Sequence, residues 1–202
     1  MKTNCIHISE LFGKDICEKR IEQIARELAK IPAFSSRVQT ILGKKNKIHR
    51  AESLAGLYLL SRCADIPTNA RLATESGGKP YFDGCDIFFN ISHSDGFCIC
   101  ATDTKPLGVD VERLRALADR DKLAERYFCA EEKEFIQESD DPDLAFLRVW
   151  TKKEALLKCI GVGLTQDLRS LNIFDKKLRF SELTKEVGNE KFLISICLSI
   201  DT

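Results

Sequence analysis

Apolar residues recur along the chain with two periods, one helical and one strand-like. Ile21, Ile24, Leu28 and Ile31 fall three, four and three apart before Pro32, which predicts an amphipathic helix over 15–31. Leu54, Leu57, Tyr58 and Leu60 predict a second over 51–64. A short strand is read at 5–8. IFFNIS (87–92) and FCICATD (97–103) alternate as strands and meet around Ser94, Asp95 and Gly96 in a hairpin, after turn signals in SGGKPYFDG. PLGVDVE (106–112) reads as another strand. The chain then turns helical over 126–139 and again from Asp141, a fitting N-cap, through Pro142 at the first helical position to Gly161, a left-handed stop. SLNIF (170–174) and KFLISICLSI (191–200) read as closing strands. The order β, αα, βββ, αα, ββ predicts an α+β fold, with two halves around a shared seam as one arrangement.

Within PLGVDVERL, alternate residues point the same way, so Asp110 and Glu112 share one face while Leu107, Val109 and Val111 pack on the other. Two carboxylates on one face repel. In a low-dielectric site they require a cation between them, either a metal ion or basic side chains; the bland alternative is a half-exposed strand whose polar face meets water. In the long helix, Trp150, Glu154 and Lys158 are spaced by four and stack on one face, with Val149, Leu156, Leu157 and Ile160 supplying apolar contacts. Here the bland alternative is an exposed Glu154–Lys158 pair, contributing roughly 0.3 to 0.5 kcal/mol. His93, at a turn, is by itself more often a surface or capping residue than a catalytic one.

Charge adds a local signal only. Lys plus Arg and Asp plus Glu each number 31 in 202 residues, so no global field points to nucleic acid. The segment 37–50 is the exception, carrying Arg37, Lys44, Lys45, Lys47 and Arg50 with no acid: a local anion site. The nine cysteines form no Cys-x-x-Cys pair, which argues against zinc, and they read as free thiols. No apolar run is long enough to span a membrane, and the polar start does not resemble a signal peptide. A soluble, cytoplasmic protein is expected.

Taken together, Asp110, Glu112 and Glu154 offer three oxygen ligands without imidazole or thiolate, a donor set that favours Mg²⁺. Matching phosphate handles are His93 beside Ser92, Lys79 in a glycine turn, the basic segment from Lys44 to Arg50, and Lys158. Metal plus bases implies a polyphosphate substrate.

Four segments, GKPYF (78–82), FNISHSDG (89–96), GVDVE (108–112) and WTKKEALLKCIGVGL (150–164), resemble in order and separation the signature set of the 4'-phosphopantetheinyl transferases, of the monomeric two-half type that activates surfactin synthetase. The resemblance implies two similar α/β halves packed as a pseudo-dimer, residues 1–105 contacting coenzyme A and 106–202 carrying the metal ligands and catalytic helix. It implies Mg²⁺-dependent transfer of phosphopantetheine from coenzyme A to a serine of an apo acyl or peptidyl carrier protein, releasing adenosine 3',5'-bisphosphate, with Mn²⁺ a possible substitute. By motif position, Asp110, Glu112 and Glu154 match metal ligands. Ser92 and His93 match coenzyme A phosphate contacts, Lys79 and Pro80 the Gly-Lys-Pro motif, and Lys158 the lysine near the pyrophosphate. Glu154, Lys158 and His93 form the implied catalytic set.

The basic segment departs from the family pattern; Arg50 and Ser53 are the candidates there for the 3'-phosphate, and Lys45 is a further coenzyme A-binding candidate. Gly108 either lets substrate approach the strand or marks a sheet irregularity. Phe128 and its neighbours either meet the carrier's apolar helix or form a core helix, while Arg113, Arg115, Arg120 and Arg126 could attract an acidic carrier. Two other readings stay open at this point. One is a different Mg²⁺-dependent nucleotide phosphotransferase, though no Gly-x-x-x-x-Gly-Lys loop supports it; the other is a non-catalytic coenzyme A or carrier-protein binding module.

Overall fold

In the computed structural model, which describes residues 1–75, 77–161 and 168–198, tertiary contacts divide the chain into two units, Met1–Pro106 and Leu107–Thr202. The first begins with β1 (Lys2–His7) and α1 (Ile8–Phe12). Ile8 therefore opens a helix instead of closing the expected strand. His7 decides this, because its side chain accepts from the Ser9 amide while Glu10 accepts the His7 amide at 2.8 Å, a capping box. After α2 (Glu18–Leu28), a third helix, α3 (Ser35–Leu42), occupies the start of the basic segment; only Val38 and Ile41 are buried along it, too few apolar positions to signal a helix. α4 (Lys47–Cys63) starts four residues before the expected position, since Asn46 accepts from the amides of Ile48 and His49 at 2.8 and 3.2 Å.

Part of the expected turn segment SGGKPYFDG is in fact strand: β2 (Arg71–Thr74) pairs with β3 (Pro80–Asp83) as a two-stranded ribbon. Phe82 anchors it, its ring centroid 4.9 Å from that of Phe89. β4 (Phe88–Ser94) and β5 (Phe97–Asp103) form the expected hairpin. Asp95 and Gly96 turn it at φ 47° and 80°, the left-handed backbone that suits strand twist. The sheet order is β1-β5-β4. α4 buries Ala51, Leu54, Ala55, Leu59 and Leu60 and comes so close to β4 that a Cβ on Gly56 would lie 2.8 Å from the Ile91 side chain.

The second unit contains β6 (Leu107–Arg113), α5 (Arg120–Tyr127), α6 (Ala130–Gln137), α7 (Pro142–Ile160), β7 (Arg179–Val187) and β8 (Glu190–Leu198). α7 has the expected punctuation: Asp141 accepts from the Leu144 amide at 3.0 Å, and Gly161 stops the helix at φ 77°. The helical stretch 126–139 is broken at Phe128 and Cys129. Phe128 is fully buried, 5.0 Å from Phe146, so it is a core residue and not carrier-facing. SLNIF is not a strand; a short 3-10 turn, Leu168–Ser170, and further turns occupy that region. The strand is β7 instead, whose largely exposed edge position requires no apolar alternation. Ser199 and Ile200 of the last expected strand, and Val162 to Leu164 of the last motif, lie outside the described residues.

The sheet of this unit runs β6-β8-β7. Each unit thus has the same path: a first strand, a long helix, then a hairpin whose second strand takes the centre and pairs antiparallel with the first strand. This repeated topology is invisible in the sequence, where no repeat is legible. Among the described residues no helix is long and apolar enough to cross a membrane.

Candidate functional site

The β6 face that carries the two carboxylates also carries Gly108, and α7 lies directly on it. A Cβ at Gly108 would be 2.0 Å from the carbonyl oxygen of Ala155 and 2.4 Å from the amide nitrogen of Cys159. The missing side chain therefore admits the helix backbone, and neither substrate approach nor sheet irregularity is needed to explain it. A shared hydrogen bond at 2.8 Å between Thr151 of α7 and Ser195 of β8, the residue opposite Asp110, ties the helix down further. Leu107, Val109 and Val111 on the other face are buried, as the alternation requires.

The close approach buries Asp110 to 6% exposure and brings the Lys158 ammonium to 2.6 Å from its Oδ1. Glu112 stays partly exposed, with Arg115 at 3.5 Å. Basic side chains thus sit on both carboxylates, and the water-facing reading of the strand fails at Asp110. Glu154, one turn before Lys158, is partly buried. Burial pushes its carboxyl above the usual range, Lys158 opposes that, and the charges of Asp110 and Glu112 add to it. Three carboxylates and one ammonium therefore share a field, and the exposed i,i+4 pair does not describe them. Trp150 joins an aromatic cluster, stacked on Phe146 at 6.1 Å and edge-on to Tyr127 at 5.8 Å. Ile160, expected to pack, is exposed.

Among the described residues no group of three His, Cys, Asp or Glu side chains is arranged so that it could hold a metal ion. The donor chemistry nonetheless suits a hard divalent cation: carboxylate oxygens only, one of them Oδ2 of Asp110 and buried, and a Glu154 whose negative charge the site disfavours. A cation would relieve what Lys158 now relieves in part.

One ionic pair was not anticipated. Lys153, 1% exposed, lies 2.8 Å from Glu132, itself fully buried, and donates to the carbonyls of Leu168, at 2.6 Å, and Leu171. Glu132 also accepts the amides of Cys129 at 2.9 Å and Ile173 at 3.0 Å. Lys153 Nζ and Glu132 Oε2 each have more than one partner and Glu132 Oε1 accepts from Ile173, so α6, α7 and the segment 168–173 are pinned together. Charged residues default to the surface, which hides the pair; the available signal is that Lys153 lies at helical spacing from Val149 and Leu156, on the apolar side.

In the first unit a cavity of about 230 Å³ is lined by Arg37, Lys44, Ser53, Glu52, Pro80 and His93, among others. Lys44 donates to Ser53 at 2.8 Å. Arg50 and Lys45 do not line it. The Arg50 guanidinium is engaged by Glu18 and by the Lys44 and Lys45 carbonyls, at 2.9 and 3.3 Å, and serves to close the loop before α4. Among the described residues the basic groups that line the cavity with His93 are Arg37 and Lys44. Ser92 is buried in β4; Lys79 precedes β3, its carbonyl accepting the Glu75 amide at 2.9 Å. All nine cysteines are outside disulfides, and burial first, then Glu52, pushes the Cys98 thiol far up, out of reach of thiolate chemistry.

The family model described as the 4'-phosphopantetheinyl transferase superfamily matches residues 106–199. The chain is 39% identical over 191 residues to the 4'-phosphopantetheinyl transferase gsp of Aneurinibacillus migulanus, covering 93% of this chain and 73% of that one. It is 36% identical over 107 residues to the 4'-phosphopantetheinyl transferase HetI of a Nostoc species, covering 50% and 45% respectively. With Sfp of Bacillus subtilis it shares 33% over 109 residues, covering 52% and 48%. The matches to HetI and Sfp thus span about half the length of those relatives.

Proposed function

Because the chain belongs to the 4'-phosphopantetheinyl transferase family, we propose that it moves the 4'-phosphopantetheine group from coenzyme A to a serine of an apo acyl or peptidyl carrier protein, releasing adenosine 3',5'-bisphosphate. The observation that carries this reading is the Lys158–Asp110 contact at 2.6 Å: it joins on one helix–strand seam the residues that the motifs assign to pyrophosphate and metal.

In the proposed reaction the serine oxygen forms a bond to the phosphorus that bears the pantetheine arm, and the bond from that phosphorus to the bridging oxygen of the bisphosphate breaks. Such a displacement asks for positioning and charge neutralisation more than covalent chemistry. Asp110, Glu112 and Glu154 would hold a Mg²⁺ ion, which when bound supplies charge neutralisation at the pyrophosphate oxygens. Lys158 offsets charge on the departing oxygen. Glu154, whose proton affinity is raised by its surroundings, takes the serine proton and passes it to solvent. His93, Ser92 and Lys79 contact coenzyme A phosphates, Arg37, Lys44 and Ser53 surround His93 for the same purpose, and Pro80 shapes the pocket wall. The same path in each unit supports reading the chain as two similar halves, and the protein would act as a monomeric, cytoplasmic enzyme.

The test is mass spectrometry of apo carrier proteins incubated with this protein, coenzyme A and Mg²⁺. A mass gain of one phosphopantetheine, lost when Mg²⁺ is chelated, is expected. An unmodified carrier set spanning fatty-acid, polyketide and peptide-synthetase types would overturn the reading.

A further inference from the structure

A phosphate pocket has no obvious use for a buried carboxylate, yet Glu52 lines the cavity beside Arg37, Lys44 and His93. Its side chain is 7% exposed. One oxygen, Oε1, accepts the Gly96 amide of the β4–β5 turn at 3.3 Å, and the other, Oε2, stands 3.5 Å from Nδ1 of His93, whose ring is about half exposed. Glu52 is thus held by the hairpin it helps to orient, with its charge directed at one side of the imidazole.

The consequence lies in imidazole chemistry. A neutral ring with its proton on Nδ1 presents a lone pair at Nε2, which repels a phosphate oxygen; a ring protonated on both nitrogens donates from Nε2. A desolvated carboxylate at Nδ1 favours the doubly protonated form. Among the described residues the other charged groups lining the cavity are Arg37 of α3 and Lys44 of the segment before α4, both cations that act against ring protonation, while the ribbon contributes Leu72 and Pro80 and β4 adds Phe89 and Ile91. Among the described residues Glu52 is therefore the one acidic group that lines the cavity.

We propose that Glu52 is a positioning residue that makes this pocket selective for a phosphate monoester, by fixing His93 through Nδ1 so that Nε2–H donates to the phosphate. The inference rests on the reading above that the pocket takes a coenzyme A phosphate. Of that ligand's phosphates, the pyrophosphate belongs with the carboxylate and Lys158 set, which leaves the 3'-monoester for His93. Glu52 is then a specificity determinant for the phosphorylated ribose, and it touches the ligand only through His93.

The experiment compares binding of coenzyme A and 3'-dephosphocoenzyme A by calorimetry, in the intact protein and in Glu52→Gln, Glu52→Asp and His93→Ala. It also follows the His93 ring through its NMR titration, assigned by the resonance lost in His93→Ala. In Glu52→Gln, which keeps an acceptor for the Gly96 amide, the preference for coenzyme A is expected to fall about tenfold, ~1.4 kcal/mol, and the His93 midpoint to drop, with affinity for the dephospho ligand unchanged. Glu52→Asp, which keeps the charge, is expected to hold the midpoint above that of Glu52→Gln. If His93→Ala loses the preference while Glu52→Gln keeps it, the role of Glu52 is overturned and the phosphate reading stands. If neither variant alters the preference, the phosphate reading itself is overturned. Equal weakening of both ligands in Glu52→Gln, or an unmoved His93 midpoint, marks Glu52 as scaffold and also overturns the proposal.

Discussion

Lys158 and Asp110, 48 positions apart in the chain, meet at 2.6 Å because Gly108 lets α7 rest directly on β6. The charge repulsion latent in PLGVDVERL is thereby answered first by a lysine. Under the proposed reaction the same lysine is at hand when pyrophosphate arrives.

Asp110→Asn is expected to abolish measurable turnover while leaving the fold intact. The change is nearly isosteric and removes one charge at a largely buried position. Loss of a ligand and of the Lys158 partner corresponds to several kcal/mol of barrier, where about 1.36 kcal/mol is tenfold in rate. Carrier modification followed by mass spectrometry, alongside circular dichroism, checks it; near-parent turnover would detach Asp110 from catalysis.

Gly108→Ala should act through packing. Its Cβ would meet backbone atoms of α7, at 2.0 and 2.4 Å, which cannot swing aside as a side chain could. The helix must lift, at a cost of about 1–3 kcal/mol or more, and carry Glu154 and Lys158 away from Asp110. Urea unfolding should show the loss of stability and the carrier assay a loss of turnover. A stable, fully active variant would refute the close approach.

For Glu154 stability and activity should part. Its folded carboxyl binds a proton more tightly than the unfolded one, chiefly through burial. With a raised folded value, stability falls as pH rises from the ordinary carboxylate range through that value and stays reduced above it. Glu154→Gln removes this penalty. Melting curves in chelator should therefore place the variant above the parent near pH 7, with the gap closing in acid, while turnover collapses. A variant melting below the parent at neutral pH would contradict the assignment.

The buried Lys153–Glu132 pair yields a double-mutant test. Lys153→Met leaves Glu132 as an uncompensated buried charge and should cost about 3–5 kcal/mol, whereas adding Glu132→Leu should recover much of it. Urea unfolding of the singles and the double measures the coupling. Additive losses would show that the two charges do not depend on one another.

The elements with strong local signals were legible in advance. α2, α7 with its Asp141 and Gly161 ends, the β4–β5 hairpin and β6 all follow from period, caps and turn residues. The elements that escaped have weak apolar patterns for a physical reason: α3 buries two residues, β7 lies at an exposed edge, and β2–β3 is a short ribbon. Boundaries moved where a side chain outside the apolar pattern capped the backbone, as Asn46 and His7 do.

By itself the sequence determined which residues could do chemistry, Asp110 and Glu112 two apart on a strand, Glu154 and Lys158 four apart on a helix, because these spacings are properties of local backbone geometry. Tertiary structure alone decided which of them meet. That Lys158 reaches Asp110 and not merely Glu154, that Arg37 and Lys44 rather than Arg50 and Lys45 line the cavity with His93, and that Lys153 and Glu132 are paired in the core all depend on contacts tens of residues apart. Such contacts are set by how closely two backbones can approach, and neither period nor charge along the chain records that distance.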